Sequence, residues 1–106
     1  MAAKVKVEDG YIVEYDEYDN RIRSYYSNLG NPTQIAVSGN RVIALIENHT
    51  QTPIIALYRD GNYTLNFAFS YSEVENIQMS GDNIIVKSTN GQTYEYDEYG
   101  NHIRTY

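Results

Sequence analysis

A chain of 106 residues, 42% apolar and 21% charged, is long enough for one globular domain at most, and it buries roughly 65% of its unfolded surface. Fourteen acidic residues against eight Lys and Arg give a formal net charge of −6, a field that repels phosphate backbones and argues against direct nucleic-acid binding. The chain has no cysteine, which excludes disulfides, thiolate metal sites and cysteine nucleophiles, and no apolar run approaches the roughly 20 residues of a membrane helix.

The start, MAAKVKVEDG, carries no apolar core segment, so no signal peptide is expected and the cytoplasm is favoured, although cysteine usage leaves the compartment open. Lys4-Val5-Lys6-Val7 alternates charge with valine, the pattern of a sheet edge where lysines discourage unwanted pairing. The chain then runs through YIVEY into YDEYDNRIRSY, Tyr15–Tyr25. At the other end YDEYGNHIRTY, Tyr96–Tyr106, repeats eight of those eleven positions at a distance of 81 residues. Setting Gly10 on Gly91 extends the match backwards without a gap. Between these copies lies a diverged third, reading TQIAVS, RVIALIE, PIIALYR and YTLNF, with SGN and DGN turns. Gly39 to Gly61 spans 22 residues and Gly81 to Gly100 spans 19, and the longer NHTQTP loop of the middle copy accounts for the three extra residues. The last copy reads VENIQMS, NIIVKS, QTYEYD and HIRTY, joined by SGD, TNG and YGN. The period is about 40 residues, in the range of repeat architectures.

Four short strands per copy, turns rich in Gly, Asn and Asp, and no helical periodicity predict an all-β meander. The second and third strands of the middle copy, Arg41-Val42-Ile43-Ala44-Leu45-Ile46 and Ile54-Ile55-Ala56-Leu57, are apolar on both faces, so that sheet is expected to be covered on both sides. The fourth strands, such as His102-Ile103-Arg104-Thr105, are more polar and suit an outer edge. Met1 aligns with Asp82, so the first copy is expected to lack its inner strand, and the count is three, four and four strands. The reading is a single β-repeat domain over 1–106, with repeats at 1–25 (partial), 26–67 and 68–106.

The last copy resembles a β-propeller blade of the WD-repeat or quinoprotein-like type. Val74, Ile77 and Met79 fall on the apolar positions of such a blade's inner strand, Ser80-Gly81-Asp82 matches its first turn, and Tyr96-Asp97 stands where WD repeats carry Trp-Asp. The Gly-His dipeptide of that family is absent and Tyr replaces its Trp. TYEYDEYGNHI is also similar to the tyrosine-aspartate (YD, RHS-type) repeat of large β-shells, sharply near Tyr94–Ile103 and less so at Val13–Ile22. A β-trefoil, a β-prism and a YD-type shell fragment are the alternative architectures. The propeller resemblance implies stacked blades, and three blades leave two uncovered faces. It thus implies self-association, with a homodimer completing six blades as the favoured form.

Twelve tyrosines, with no Trp and two Phe, are the compositional anomaly. Tyr15, Asp16, Tyr18 and Asp19 in the first copy, with Tyr96, Asp97 and Tyr99 in the last, form acidic tyrosine turns expected on one rim. There they suit a basic protein surface or a glycan. The structural alternative makes Tyr15 and Tyr96 core aromatics and has Asp16 and Asp97 satisfy turn backbone groups. Arg23 and Arg104 fall on equivalent outer strands, and His49 and His102 have no matching partner. Two glycosylation sequons, Asn48-His49-Thr50 and Asn62-Tyr63-Thr64, matter only in a secreted protein. No catalytic constellation, metal set or cofactor motif stands out. The chain therefore reads as a non-enzymatic binding or scaffold module with no cofactor and no membrane partner. Three alternatives stay open: a glycan-binding lectin, an acidic inhibitor occupying a nucleic-acid site on another protein, and an engineered repeat fragment.

Overall fold

The computed structural model describes residues 4–27, 29–48 and 51–106. Eleven strands follow in order: β1 (Lys4–Glu8), β2 (Tyr11–Tyr15), β3 (Arg21–Tyr26), β4 (Pro32–Ser38), β5 (Arg41–Asn48), β6 (Gln51–Arg59), β7 (Asn62–Ala68), β8 (Val74–Ser80), β9 (Asn83–Ser88), β10 (Thr93–Tyr96) and β11 (His102–Thr105). They form three antiparallel meanders of three, four and four strands, β1–β3, β4–β7 and β8–β11. His49 and Thr50 lie outside the described residues, and with them most of the first sequon.

Each meander is local because its turns demand little chain. At β6–β7, Asp60 (φ 53°) and Gly61 (φ 79°) are both left-handed, the two-residue turn whose twist matches that of the flanking strands. The fourth strand of each full sheet is its outer edge; β11 is exposed throughout. β1 is an edge of the first sheet, and its two lysines are exposed.

The middle sheet is buried on both faces. Ile43 and Leu45 of β5, with Ile55 and Leu57 of β6, pack against Val74, Ile77, Ile84, Val86, Tyr94 and Tyr96 of the third sheet, around Phe69. Val42, Ala44, Ile46, Ala56 and Tyr58 point the other way, onto Ile12, with Val5 and Tyr25 beside it. The doubly apolar pattern of β5 and β6 therefore reports two junctions. They are unequal, because among the described residues the third sheet brings six buried apolar side chains to its junction and the first brings only Ile12 to the other. At about 1.5–3 kcal/mol per fully buried large side chain, the junction with the third sheet holds most of the core energy. A polar strap reinforces it: the Gln34 amide on β4 donates to the Glu75 carbonyl (2.9 Å) and accepts from the Ile77 N–H (3.3 Å).

Strand registers refine the repeat alignment. Val42 opposes Tyr58 and Ile84 opposes Tyr96, so Tyr58 is the structural counterpart of Tyr96. The β5–β6 hairpin thus has four extra residues and the β6–β7 turn one fewer, which together leave the three seen between glycines. Counting back equally from Gly61 and Gly100 would instead set Leu57 on Tyr96. Faces alternate along a strand, so that one-residue slip would have put the aromatic on the wrong side.

Leu45→Ala should lower unfolding free energy by about 2–5 kcal/mol, as for a fully buried leucine. Ile103→Ala, on a 48% exposed side chain, should cost about 0.5 kcal/mol or less. Urea denaturation of the two variants checks the contrast, and equal losses would contradict the sheet order.

Candidate functional site

The two YDEY segments form the same turn. Each is entered through a register shift, between Glu14 and Tyr15 in one copy and between Glu95 and Tyr96 in the other. The Asp16 N–H donates to the Asn20 carbonyl (2.9 Å), and Asp16 Oδ1 accepts from the backbone N–H groups of Tyr18 and Asn20 (both 2.9 Å). Asp97 does the same with Asn101, Tyr99 and Asn101 in turn, at the same distances. The carboxylates therefore hold the turn shut. Their pKa values are depressed by these bonds, the Asn20 N–H dominating at Asp16 and the Asn101 N–H at Asp97.

The tyrosines of the two turns separate by environment. Tyr96 is buried against Phe67, with ring centroids 4.6 Å apart, and burial pushes its hydroxyl up to about 12. Its counterpart Tyr15 lies on the open face of the first sheet, where its hydroxyl donates to Glu8 and Lys6 sits 5.5 Å from its ring centre. That bond to Glu8 raises the Tyr15 pKa. Tyr18 and Tyr99 project from the turn tips, 77% and 68% exposed. Asp19 is paired with Lys4, whose ammonium depresses its pKa.

The β4–β5, β6–β7, β8–β9 and β10–β11 turns share one rim, where they border a cleft of about 220 Å³ between the second and third sheets. Arg41 and Arg59 stand directly opposite each other on β5 and β6, an arrangement that repels unless an anion intervenes. Glu98 of the β10–β11 turn supplies it: its Oε2 lies 2.8 Å from Arg41 Nη2 and 3.6 Å from Arg59 Nη2. Arg41 Nη1 also approaches Asp82, an ion pair without hydrogen-bond alignment. Tyr99 lines the same cleft, and the neighbouring Glu98 carboxylate raises its pKa. Arg41, Arg59, Asp82 and Glu98 were not among the residues expected at the site; Glu98 was signalled by its place inside the second YDEY turn, and the other three only by proximity to turn glycines. Glu17, the counterpart of Glu98 in the first turn, is exposed.

Of the seven residues expected at the site, the structure thus gathers Tyr18 and Asp19 at one turn tip and Tyr99 at another. It assigns Asp16 and Asp97 to turn closure, buries Tyr96 and leaves Tyr15 on an open sheet face. His102 bonds to Thr105 Oγ1 (2.8 Å) and packs near Tyr71, Tyr94 and Tyr96. Among the described residues no group of three or more His, Asp or Glu is placed to hold a metal ion. No described helix is long and apolar enough to cross a membrane.

Because the Asp16 and Asp97 pKa values are lower folded than free, their contribution to stability is complete above the ordinary value of 3.8 and is lost as pH falls through the folded value. Melting temperature should therefore fall below about pH 4, and an Asp16→Asn/Asp97→Asn double variant should show a flatter acid limb. Thermal melts between about pH 6 and about pH 2.5 check this, and identical acid limbs would contradict it.

No family model matches the chain, and no curated protein does. Solved structures do. The chain is similar to BBS1N, crystallised in complex with ARL6DN, at a TM-score of 0.80 and 14% identity, covering 96% of this chain and 32% of that one. It is similar to U3-55K at 0.73 and 8% identity, covering 96% and 35%. The WD40 β-propeller domain of Doa1 matches at 0.65 and 15% identity, covering 99% and 39%. The chain spans about a third of the length of these structures. At such identities the likeness is one of fold: three stacked meanders arranged as in a propeller.

Proposed function

We propose that the chain is a non-enzymatic binding scaffold that self-associates into a propeller-like ring and meets a macromolecular partner through the acidic, tyrosine-bearing turns of one rim. The observation that carries the reading is the pair of equivalent turns, each braced by its own aspartate, presenting Tyr18 and Tyr99 to solvent. A rigid, amphipathic ring on a closed turn makes contact at low entropic cost. The net charge of −6 favours a partner of basic character, and a protein partner accords with the complexed state of BBS1N. The repeats at 1–25, 26–67 and 68–106 act as one unit in this reading, because the middle sheet needs both neighbours.

Tyr18 and Tyr99 equally suit stacking on sugar rings, so the test includes both ligand classes. On parallel arrays of Lys/Arg-rich peptides and of glycans, the chain should bind basic peptides, and a Tyr18→Ala/Tyr99→Ala double variant should lose about tenfold or more, the loss of a central aromatic contact. Signal confined to glycans would overturn the protein-partner reading, and peptide binding unaffected by the double variant would remove the turns from it.

A further inference from the structure

Both junctions between neighbouring sheets are closed by the same pair of aromatic positions. At the first, Tyr25 of β3 packs on Tyr58 of β6 with ring centroids 5.0 Å apart. At the second, Phe67 of β7 packs on Tyr96 of β10 at 4.6 Å. The positions correspond by register. Tyr25 opposes Ile12 and Phe67 opposes Ile55, while Tyr106 exchanges both backbone hydrogen bonds with Thr93, the counterpart of those isoleucines. Tyr58, Tyr96 and Tyr15 are likewise equivalent, each near the end of the strand that precedes its sheet's outer strand. Two junctions use four of these six positions. The two left over are Tyr106, on the open face of the third sheet, and Tyr15, on the open face of the first.

A second contact recurs in the same way. Gly61 and Gly100, at equivalent places in the third-to-fourth-strand turns, lie under the outer strand of the preceding sheet. A Cβ on Gly61 would meet Arg23 at 2.6 Å, and one on Gly100 would meet Phe67 at 2.9 Å and Leu65 at 3.4 Å. The third member of this series is Asp19, also left-handed (φ 66°), with a side chain where the others have none. The residue equivalent to Arg23 and Leu65 on the last outer strand is Arg104. An aspartate is thus left at one end of the stack and an arginine at the other, in the positions that meet at each internal junction.

Building on the self-association proposed above, we infer that a second copy of this chain docks head to tail. Its third sheet covers the open face of the first sheet, Tyr106 of one copy packs on Tyr15 of the other, and Arg104 meets Asp19. The end face is already prepared for burial. Glu95, only 7% exposed, accepts from Asn83 Nδ2 and from Arg104 Nε, both at 2.7 Å, so covering it orphans no carboxylate. Its counterpart Glu14 is buried at the first internal junction, accepting from the Tyr25 hydroxyl at 2.7 Å. Lys6, which now lies over Tyr15, is the side chain the incoming ring displaces. Two copies joined in this way at both ends give a ring of six sheets.

The absence of native cysteine makes the test direct. Tyr15→Cys and Tyr106→Cys variants are mixed and treated with a bismaleimide spanning about 10 Å, the spacing of packed sheets. The mixture should give a cross-linked dimer and each variant alone should not. Light scattering behind a sizing column, over a hundredfold concentration range, follows the untagged chain in parallel. Asp19→Lys, which sets a like charge against Arg104 and leaves the Arg104–Glu95 bond in place, should weaken its association about tenfold or more. An oligomeric chain whose mixture does not cross-link, or whose single variants cross-link equally well, overturns this junction and leaves self-association standing. A mass of 12.2 kDa throughout overturns both.

Discussion

The structure depends on a sheet that has no solvent face. β5 and β6 carry apolar side chains in both directions, so the middle meander cannot be stable in water unless something covers each side. The first and third sheets do that, and in doing so they acquire a core that neither has alone. The remaining features follow from this stacking. Short hairpins keep each sheet contiguous in the chain, polar outer strands face solvent, and the turns between third and fourth strands gather along one rim.

Stacking also explains why like sequences behave differently. Tyr15 and Tyr96 sit in the same four-residue word, yet Tyr96 is buried against Phe67 while Tyr15 stands on an open face. Glu14 and Glu95 show the converse pairing. Glu14 is enclosed between sheets with the Tyr25 hydroxyl, whereas Glu95 is shielded at the end of the stack by Arg104 and Asn83. In each pair the residue is the same and the position in the stack decides the environment. A repeat protein whose terminal faces resemble its internal ones keeps the capacity to add further units.

Much of this was legible in the amino-acid sequence. The double apolar faces of β5 and β6 announced a covered sheet, and the repeated turn announced equivalent hairpins. The polar fourth strands announced the outer edges. Local patterns carried these features, because alternation and turn chemistry act over a few residues. What stayed hidden was relational. The four extra residues before Tyr58 and the one missing after it partly cancel in a count between glycines, so only the strand register shows that Tyr58 matches Tyr96. The Arg41–Glu98–Arg59 cluster joins residues from two sheets that no short pattern links. For Asp16 and Asp97 the sequence left binding and turn closure both open, because aspartate suits a surface and a turn, and the structure shows the hydrogen bonds that close the turn.

Native-state hydrogen exchange, resolved strand by strand in dilute protein, tests the central claim most directly. If the middle sheet is held from both sides, the amides of β5 and β6 should exchange slowest, those of β9 and β10 next, and those of β1–β3 faster, because the first junction buries far fewer apolar side chains. Amides of β5 and β6 that exchange no more slowly than those of β1–β3 would contradict a stack organised around its middle sheet.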